Sequence, residues 1–275
     1  MEIIEEYTFS NDRQIWRLLP TDTDKLVIEE RNPETKEVFF NCLDINSGVK
    51  IFSDLQLDEK FWVGIEAIHK DIIYFHRFVK PDMPGHKDII AFDISAGEFI
   101  WETTDYSFLF IKDDLVYCFK SLFEGKNYFS LRYNTGELQD ELGNNSAVIN
   151  SLMEQTRSSQ NFDDYIFPES FNPGIIDNEN INNYLSRLQK EVLIAGKIDY
   201  ALYRNILLFN YHEFYLNGKL RNNFKAIEVD SGKILFEETL NKESNVLIPD
   251  SFFMRENLLF LLREKSALVV CSLKD

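Results

Sequence analysis

Five polar residues recur at one position of a repeated strand, and four of them are cations. Each strand follows a polar corner residue, at Lys25, Asp71, Asp114, Asn205 and Asn257. Six residues after these corners stand Arg31, Arg77, Lys120, Tyr211 and Arg263. Guanidinium and ammonium groups gathered at equivalent places bind carboxylates, phosphates or the acidic patch of a partner. We therefore predict a ligand-binding ring of these residues, the alternative being that each cation pairs with one of the 46 acids.

The histidines show no spacing of a known metal motif. The chain has four, His69, His76, His86 and His212, and none forms an HxH or HExxH pair. A metal site needs three or four ligands that converge in space. His76 follows an apolar run, which favours a packed strand residue over a ligand. The sequence predicts no metal site and no cofactor.

Other catalytic patterns are also missing from the sequence. It contains no GxSxG elbow, no GxxxxGK[ST] loop and no glycine-rich dinucleotide fingerprint. A carboxylate pair of the glycosidase type cannot be chosen among so many acids. The three cysteines, Cys42, Cys118 and Cys271, lie far apart in apolar runs without CxxC spacing, so we predict reduced core residues. No catalytic residue is assigned, and the sequence leans towards a protein that is not an enzyme.

A repeated hairpin positions the candidate residues. Its clearest copy, DIIAFDISAGEFIWET, has a β-rich run, a turn ending in Gly97 and a second run with Trp101. Similar turns end at Gly48, Gly136 and Gly232, each with a short polar residue two positions earlier. Such residues start turns, and glycine supplies the positive φ that closes them. Two further strands precede each hairpin, so the repeat predicts units of four strands.

The spacing of the repeat predicts a β-propeller. Gly48 and Gly97 are 49 residues apart and Gly97 and Gly136 are 39 apart, which is typical of four-stranded blades. A sandwich and a β-solenoid explain this regular turn less well. The C-terminal SALVVCSLKD lacks a partner strand, and the N-terminal SNDRQIWRLL, with Trp16, offers one. We predict one all-β domain over residues 1–275, with five four-stranded blades closed by both termini; six blades are the alternative.

The hairpin run AFDISAGEFIW resembles the repeat of quinoprotein-type and WD40-like propellers, where a similar run occurs once in each blade. The resemblance covers four hairpins and implies the architecture. None of the cofactor-binding residues of the quinone-dependent dehydrogenases of that fold can be matched here. The resemblance therefore implies the propeller fold for this chain and no activity.

Residues 143–190 interrupt the repeat. Gly136 and Gly232 are 96 residues apart, one repeat plus an insertion of about the same length, which could hide an eroded sixth blade. Ile181, Tyr184, Leu185 and Leu188 have helical spacing after Asp177, a candidate cap. We predict a short amphipathic helix over 180–190, on the face of the ring that also carries the long loops FVKPDMPGHK and YHEFYLNGKLRNN.

Composition narrows the partners. A formal charge of −17 repels nucleic acid and anionic membranes. The N-terminus has no secretory signal pattern and no run approaches membrane-spanning length, so we expect a cytoplasmic monomer. The predicted function is a non-catalytic binding or scaffolding propeller that engages a protein or a small anionic ligand through its loop-rich face. The alternative is a hydrolase or lyase acting on a carbohydrate-like substrate at the axis.

Overall fold

The computed structural model describes residues 2–80, 83–157, 162–176 and 178–274. Their regular structure is almost entirely antiparallel β-strand, which confirms the all-β class. Within these ranges there are two α-helices and one 3-10 turn, Leu216–Gly218. The chain forms two compact units: residues 13–161, and residues 1–12 with 162–275. We call them the central unit and the two-segment unit.

The central unit contains three four-stranded antiparallel meanders. The first sheet has β2 (Gln14–Pro20), β3 (Lys25–Arg31), β4 (Val38–Asp44) and β5 (Lys50–Leu55). The second sheet has β6 (Val63–His69), β7 (Ile72–Lys80), β8 (Met83–Asp93) and β9 (Glu98–Thr103). The third sheet has β10 (Ser107–Lys112), β11 (Leu115–Leu122), β12 (Gly125–Arg132) and β13 (Leu138–Gly143). One parallel pair, Ser107 with Asp88, joins the second and third sheets.

The two-segment unit contains two further sheets. The fourth has β16 (Ile194–Tyr203), β17 (Ile206–Phe214), β18 (Leu220–Glu228) and β19 (Ile234–Ser244), with the short β15 (Glu169–Ser170) at its edge. The fifth has β20 (Phe252–Arg255), β21 (Leu258–Arg263), β22 (Ala267–Lys274) and β1 (Glu2–Ser10), with the short β14 (Tyr165–Ile166) on the other side. In this sheet the N-terminal strand completes a meander begun by three C-terminal strands.

The strand that joins the termini differs from the predicted one. β1 pairs with β22 from Glu2–Lys274 to Ser10–Ala267, so a terminal closure is present in the fifth sheet. The segment expected to close it, SNDRQIWRLL, instead turns after Ser10 and forms β2, the first strand of the first sheet. The alternation in EIIEEYTF is weak because most of its side chains are exposed, which explains why the sequence did not indicate this strand.

The predicted hairpin turns are present, but in the first two of them the side chain that starts the turn is a different one. Gly48, Gly97, Gly136 and Gly232 all have φ between 67° and 71°. In the first two turns the acceptor is four residues before the glycine: Asp44 accepts backbone N–H groups two and three positions on, and so does Asp93. The residue two before the glycine therefore lies inside the turn that an aspartate initiates.

Large side chains on the fourth strands fill the space between sheets, as their positions predicted. Phe52 packs edge-on against Phe92, which joins the first sheet to the second. Trp101 lies between the second and third sheets and donates its indole N–H to the carbonyl of Tyr133 at 3.0 Å. Phe236 packs in the core shared by the fourth and fifth sheets. Apolar area buried between flat sheet faces is the main stabilising term of both units.

Two helices cover faces of the third and fourth sheets. α1 (Ser146–Arg157) places Ile149 on the third sheet beside Phe110. α2 (Glu179–Glu191) confirms the predicted helix and buries Ile181, Leu185 and Leu188 against the fourth sheet. Its N-cap is Asn178, which accepts the Ile181 N–H; the predicted cap, Asp177, lies outside the described residues. In the described part of 143–190 the strands are two residues long, so this segment does not form a sixth four-stranded sheet.

The two long loops expected beside the insertion are largely strand. The described residues between 77 and 87 continue β7 and β8 beyond the ends of β6 and β9, with Phe78 paired to His86. Residues 211–223 form the end of β17, the 3-10 turn and the start of β18. Among the described helices, neither is long and apolar enough to cross a membrane.

Candidate functional site

The four predicted cations each have an acidic neighbour within 4 Å. The pairs are Arg31–Glu29 at 3.0 Å, Arg77–Asp88 at 3.3 Å, Lys120–Asp105 at 3.5 Å and Arg263–Glu238 at 2.5 Å. The hydrogen bond to Glu238 raises the pKa of Arg263. Tyr211 is buried under α2, and burial raises its pKa. These pairs agree with the alternative interpretation, in which each cation pairs with a nearby acid. The ligand-binding ring of these residues stays a prediction.

The position one residue earlier is the more informative one. It holds Glu30 in β3, His76 in β7 and Asn210 in β17, all almost fully buried. The same position in the third and fifth sheets is apolar, Phe119 and Leu262. A buried polar side chain is costly unless its hydrogen bonds are satisfied. This column could have been found in the sequence as a polar residue inside an apolar strand, and we missed it there.

In the first sheet one oxygen of the buried carboxylate, Oε2 of Glu30, has two partners. Glu30 accepts from the guanidinium of Arg13 at 2.9 Å and from the amide of Asn41 at 2.8 Å. Asn41 in turn accepts the backbone N–H of Asp54 at 3.0 Å, and Arg13 also pairs with the Asp54 carboxylate. Burial acts to lower the pKa of Arg13, but Glu30 and Asp54 outweigh it and raise that pKa. This network ties β3 and β4 to the residues that flank β2 and β5.

The fourth sheet satisfies its buried amide in the same way. Asn210 donates to Asn222 at 3.0 Å, and Asn222 donates to the hydroxyl of Ser251 at 2.7 Å. The hydrogen-bond network continues at Ile248, whose backbone N–H donates to Nε2 of His212 at 3.0 Å. Burial lowers the pKa of His212 and favours this neutral, accepting form. The networks around Glu30 and Asn210 therefore have a structural role inside their sheets.

The second sheet breaks this rule at His76. His76 is 3% exposed, yet neither of its ring nitrogens makes a hydrogen bond within the described part of the chain. Nδ1 lies 3.2 Å from Oε1 of Glu66 without hydrogen-bond alignment. Nδ1 of His86 approaches the same carboxylate oxygen at 2.8 Å. One ligand atom from each of Glu66, His76 and His86 lies within 4.8 Å of the others.

Irregular strand pairing brings these three side chains together. Glu66 is the extra residue of a bulge between Ile65 and Ala67 in β6. A second register shift surrounds His76 in the β7–β8 pairing. Bulges redirect side chains and are frequent beside functional sites. β6, β7 and β8 thus each supply one member, although the residues are 10 apart along the chain at each step.

The surroundings hold His76 in place. Gly64 lies opposite it on β6, and a Cβ on that residue would meet the imidazole Cε1 at 2.9 Å. Phe78 packs edge-on against both imidazoles, with ring centres 5.0 and 5.1 Å away. The rings of His76 and His86 are stacked 3.6 Å apart. His76 is therefore confined, whereas the His86 side chain is 38% exposed and reaches the surface.

The cluster has the chemistry of a metal-ligand set. Burial acts to raise the pKa of Glu66, but the two imidazoles outweigh it and hold that pKa below its usual value, so the carboxylate is ionised. Two imidazoles and a carboxylate are ligands that Zn²⁺ and similar ions accept. No metal motif is visible in the sequence because the known motifs require fixed spacing along one element. Here the ligands come from three strands.

The cysteines and the remaining histidine are separate from this cluster. The predicted burial of Cys42, Cys118 and Cys271 is confirmed, and all three are free thiols. Burial raises the pKa of each, to about 12 for Cys42. His69 lies 3.0 Å from Asp114. None of these groups joins the candidate metal centre.

Comparisons with known proteins assign no activity. A family model described as a domain of unknown function (DUF4905) matches residues 19–101. No curated protein matches the chain. Among solved structures, an uncharacterized protein from Listeria monocytogenes EGD-e shares 9% identity, over 94% of this chain and 81% of that one, with a TM-score of 0.34. A structure from a study of two prolyl endopeptidases shares 8% identity, over 95% of this chain and 41% of that one, with a TM-score of 0.35. The Dos1 propeller shares 9% identity, over 96% of this chain and 54% of that one, with a TM-score of 0.27. The chain spans about half the length of these last two or less.

Proposed function

We propose that the five four-stranded meanders are the blades of one β-propeller domain. Two observations support this arrangement. Consecutive sheets in the central unit pack face to face, first on second and second on third, and the fourth packs on the fifth. The fifth sheet combines both chain ends, as ring closure requires, and so removes an open edge.

We further propose that the protein is a binding module whose functional centre is a divalent transition-metal site formed by Glu66, His76 and His86. The observation that carries this proposal is His76. Its two buried ring nitrogens have no hydrogen-bond partner in the described residues, next to an ionised carboxylate and a second imidazole. A metal ion would bind a ring nitrogen whose nearest polar partner is the Glu66 carboxylate, whereas Oε2 of Glu30 and the amide of Asn210 make hydrogen bonds within their own units.

Zinc fits this donor set best. Zn²⁺ binds imidazole nitrogen at about 2.0–2.1 Å and carboxylate oxygen at about 2.0–2.2 Å, so ligand atoms of one ion lie a few ångströms apart, as these do. A metal lies in the plane of each imidazole it binds, and two rings stacked at 8° cannot both point at one ion. Binding therefore requires the rings to splay, and we expect the more exposed His86 to move, giving up its hydrogen bond to Glu66.

The test is zinc binding by the full-length chain. We expect one Zn²⁺ per chain by native mass spectrometry and calorimetry, and a fall in affinity of tenfold or more in Glu66→Gln and His86→Ala. His69→Ala is the matched control, since His69 is on the same β6 strand and bonds to Asp114 instead. The proposal is overturned if the chain binds no zinc, or if His69→Ala weakens binding as much as His86→Ala.

A further inference from the structure

An ion held by Glu66, His76 and His86 would keep an open coordination position. Zinc in proteins is usually four-coordinate, and sites with three protein ligands complete the set with water or a bound molecule. The described His, Cys, Asp and Glu residues supply three donors to this cluster and no fourth. The remaining ligand must come from solution.

The open position faces solvent on the side of His86. The side chain of His76 is 4% exposed and that of Glu66 is 13% exposed, so both lie beneath the surface. Gly64 closes the space below His76. The His86 side chain is 38% exposed, which makes its side of the cluster the entrance.

Exposed apolar side chains flank this entrance. Trp62 packs edge-on against Phe78 with ring centres 6.3 Å apart, and its carbonyl accepts the Phe78 N–H. Phe78 in turn contacts the His86 ring. Trp62 is 42% exposed, and the exposed Phe61 and Val79 are its chain neighbour and that of Phe78, so the strand ends beside Phe78 carry apolar surface. We call this surface the apolar rim. A few polar groups surrounded by aromatic surface are typical of small-molecule sites.

Charge selects the class of ligand. A divalent ion beside one carboxylate leaves a net charge of about +1 at the cluster, which one further carboxylate would neutralise. The nearest predicted cation, Arg77, is already paired with Asp88. In this acidic chain we therefore expect the carboxylate of a ligand to bind the metal ion and not a side-chain cation.

We propose that this centre binds a small monocarboxylate with a planar apolar group, the carboxylate on the metal and the apolar group against Trp62. This inference rests on the proposed metal site. The test uses the full-length chain loaded with Co²⁺, whose visible absorption reports a change in its ligands. We expect benzoate to shift this absorption at a concentration about tenfold lower than acetate, since one aromatic contact contributes up to ~1.5 kcal/mol.

Two tryptophan variants test the role of the apolar rim. In Co²⁺-loaded Trp62→Ala the preference for benzoate over acetate should fall to about twofold or less. Trp16→Ala is the matched control because Trp16 is also exposed and lies in the first sheet, and it should keep the tenfold preference.

The possible results separate the two proposals. A chain that takes up no Co²⁺ or Zn²⁺ overturns the metal site and this inference with it. A chain that loads Co²⁺ but shows no spectral response to benzoate, equal responses to both acids, or the same preference in Trp62→Ala overturns the ligand inference alone.

Discussion

Replacing Gly64 with alanine should destabilise the central unit by displacing His76. The new Cβ would lie 2.9 Å from Cε1 and 3.1 Å from Nε2 of the His76 ring, closer than side-chain carbons approach. The ring cannot retreat freely, since Phe78 and His86 pack on it. Overpacking of this kind costs about 1–3 kcal/mol, and alanine regains roughly 0.5–1 kcal/mol of backbone entropy, so the net loss should be about 1–2 kcal/mol.

A double-mutant cycle measured by urea unfolding tests this reasoning. In a His76→Ala background the clash is gone, so Gly64→Ala should become neutral or stabilise by about 0.5–1 kcal/mol. Gly85→Ala, on the same hairpin, is the control: its Cβ would meet the half-exposed Val79 at 3.3 Å, and the effect should stay within about 0.5 kcal/mol. An equal loss from Gly64→Ala in both backgrounds would refute the idea that Gly64 is required by His76.

Three further outcomes follow from the described contacts. Arg13→Ala leaves the buried Glu30 carboxylate without its guanidinium and should cost about 3 kcal/mol, whereas Lys120→Ala, in an exposed pair, should cost under about 1 kcal/mol in the same unfolding assay. Burial lowers the folded-state pKa of His212 below its unfolded value near 6.5, so its contribution is present above that pH and is lost as pH falls; the difference in stability between wild type and His212→Gln should shrink between about pH 7 and 5. Deleting residues 2–10 removes the partner of β22, and limited proteolysis should then show the two-segment unit unfolded; an unchanged digestion pattern would contradict a supporting role for β1.

The meander organisation could be predicted because it rests on local signals that repeat. A glycine with φ near 70° and a large aromatic residue four positions later mark the same hairpin in several sheets, as in Gly97 and Trp101. The helix α2 was predicted from apolar spacing for the same reason. These features depend on neighbours within a few residues, which a single sequence displays directly.

The candidate metal centre could not be predicted, since it depends on register. Glu66 points towards the histidines because of a bulge in β6, and a bulge has no reliable mark in one sequence. The helix α1 was missed for a related reason: its burial depends on one residue, Ile149, which meets Phe110 of a sheet that lies earlier in the chain. The terminal strand β1 was missed because its exposed faces hide the alternation.

The column of Glu30, His76 and Asn210 shows where structural and functional roles separate. One strand position places a polar side chain inside an apolar sheet three times. Glu30 accepts hydrogen bonds from Arg13 and Asn41 at one carboxylate oxygen, and Asn210 donates to Asn222 of its own sheet, which offsets part of the cost of burial. His76 has the same burial and no such match within the described residues. His76 is distinguished by a second imidazole and a carboxylate beside its ring nitrogens, which make no hydrogen bond in the described residues, so metal binding should be sought there first.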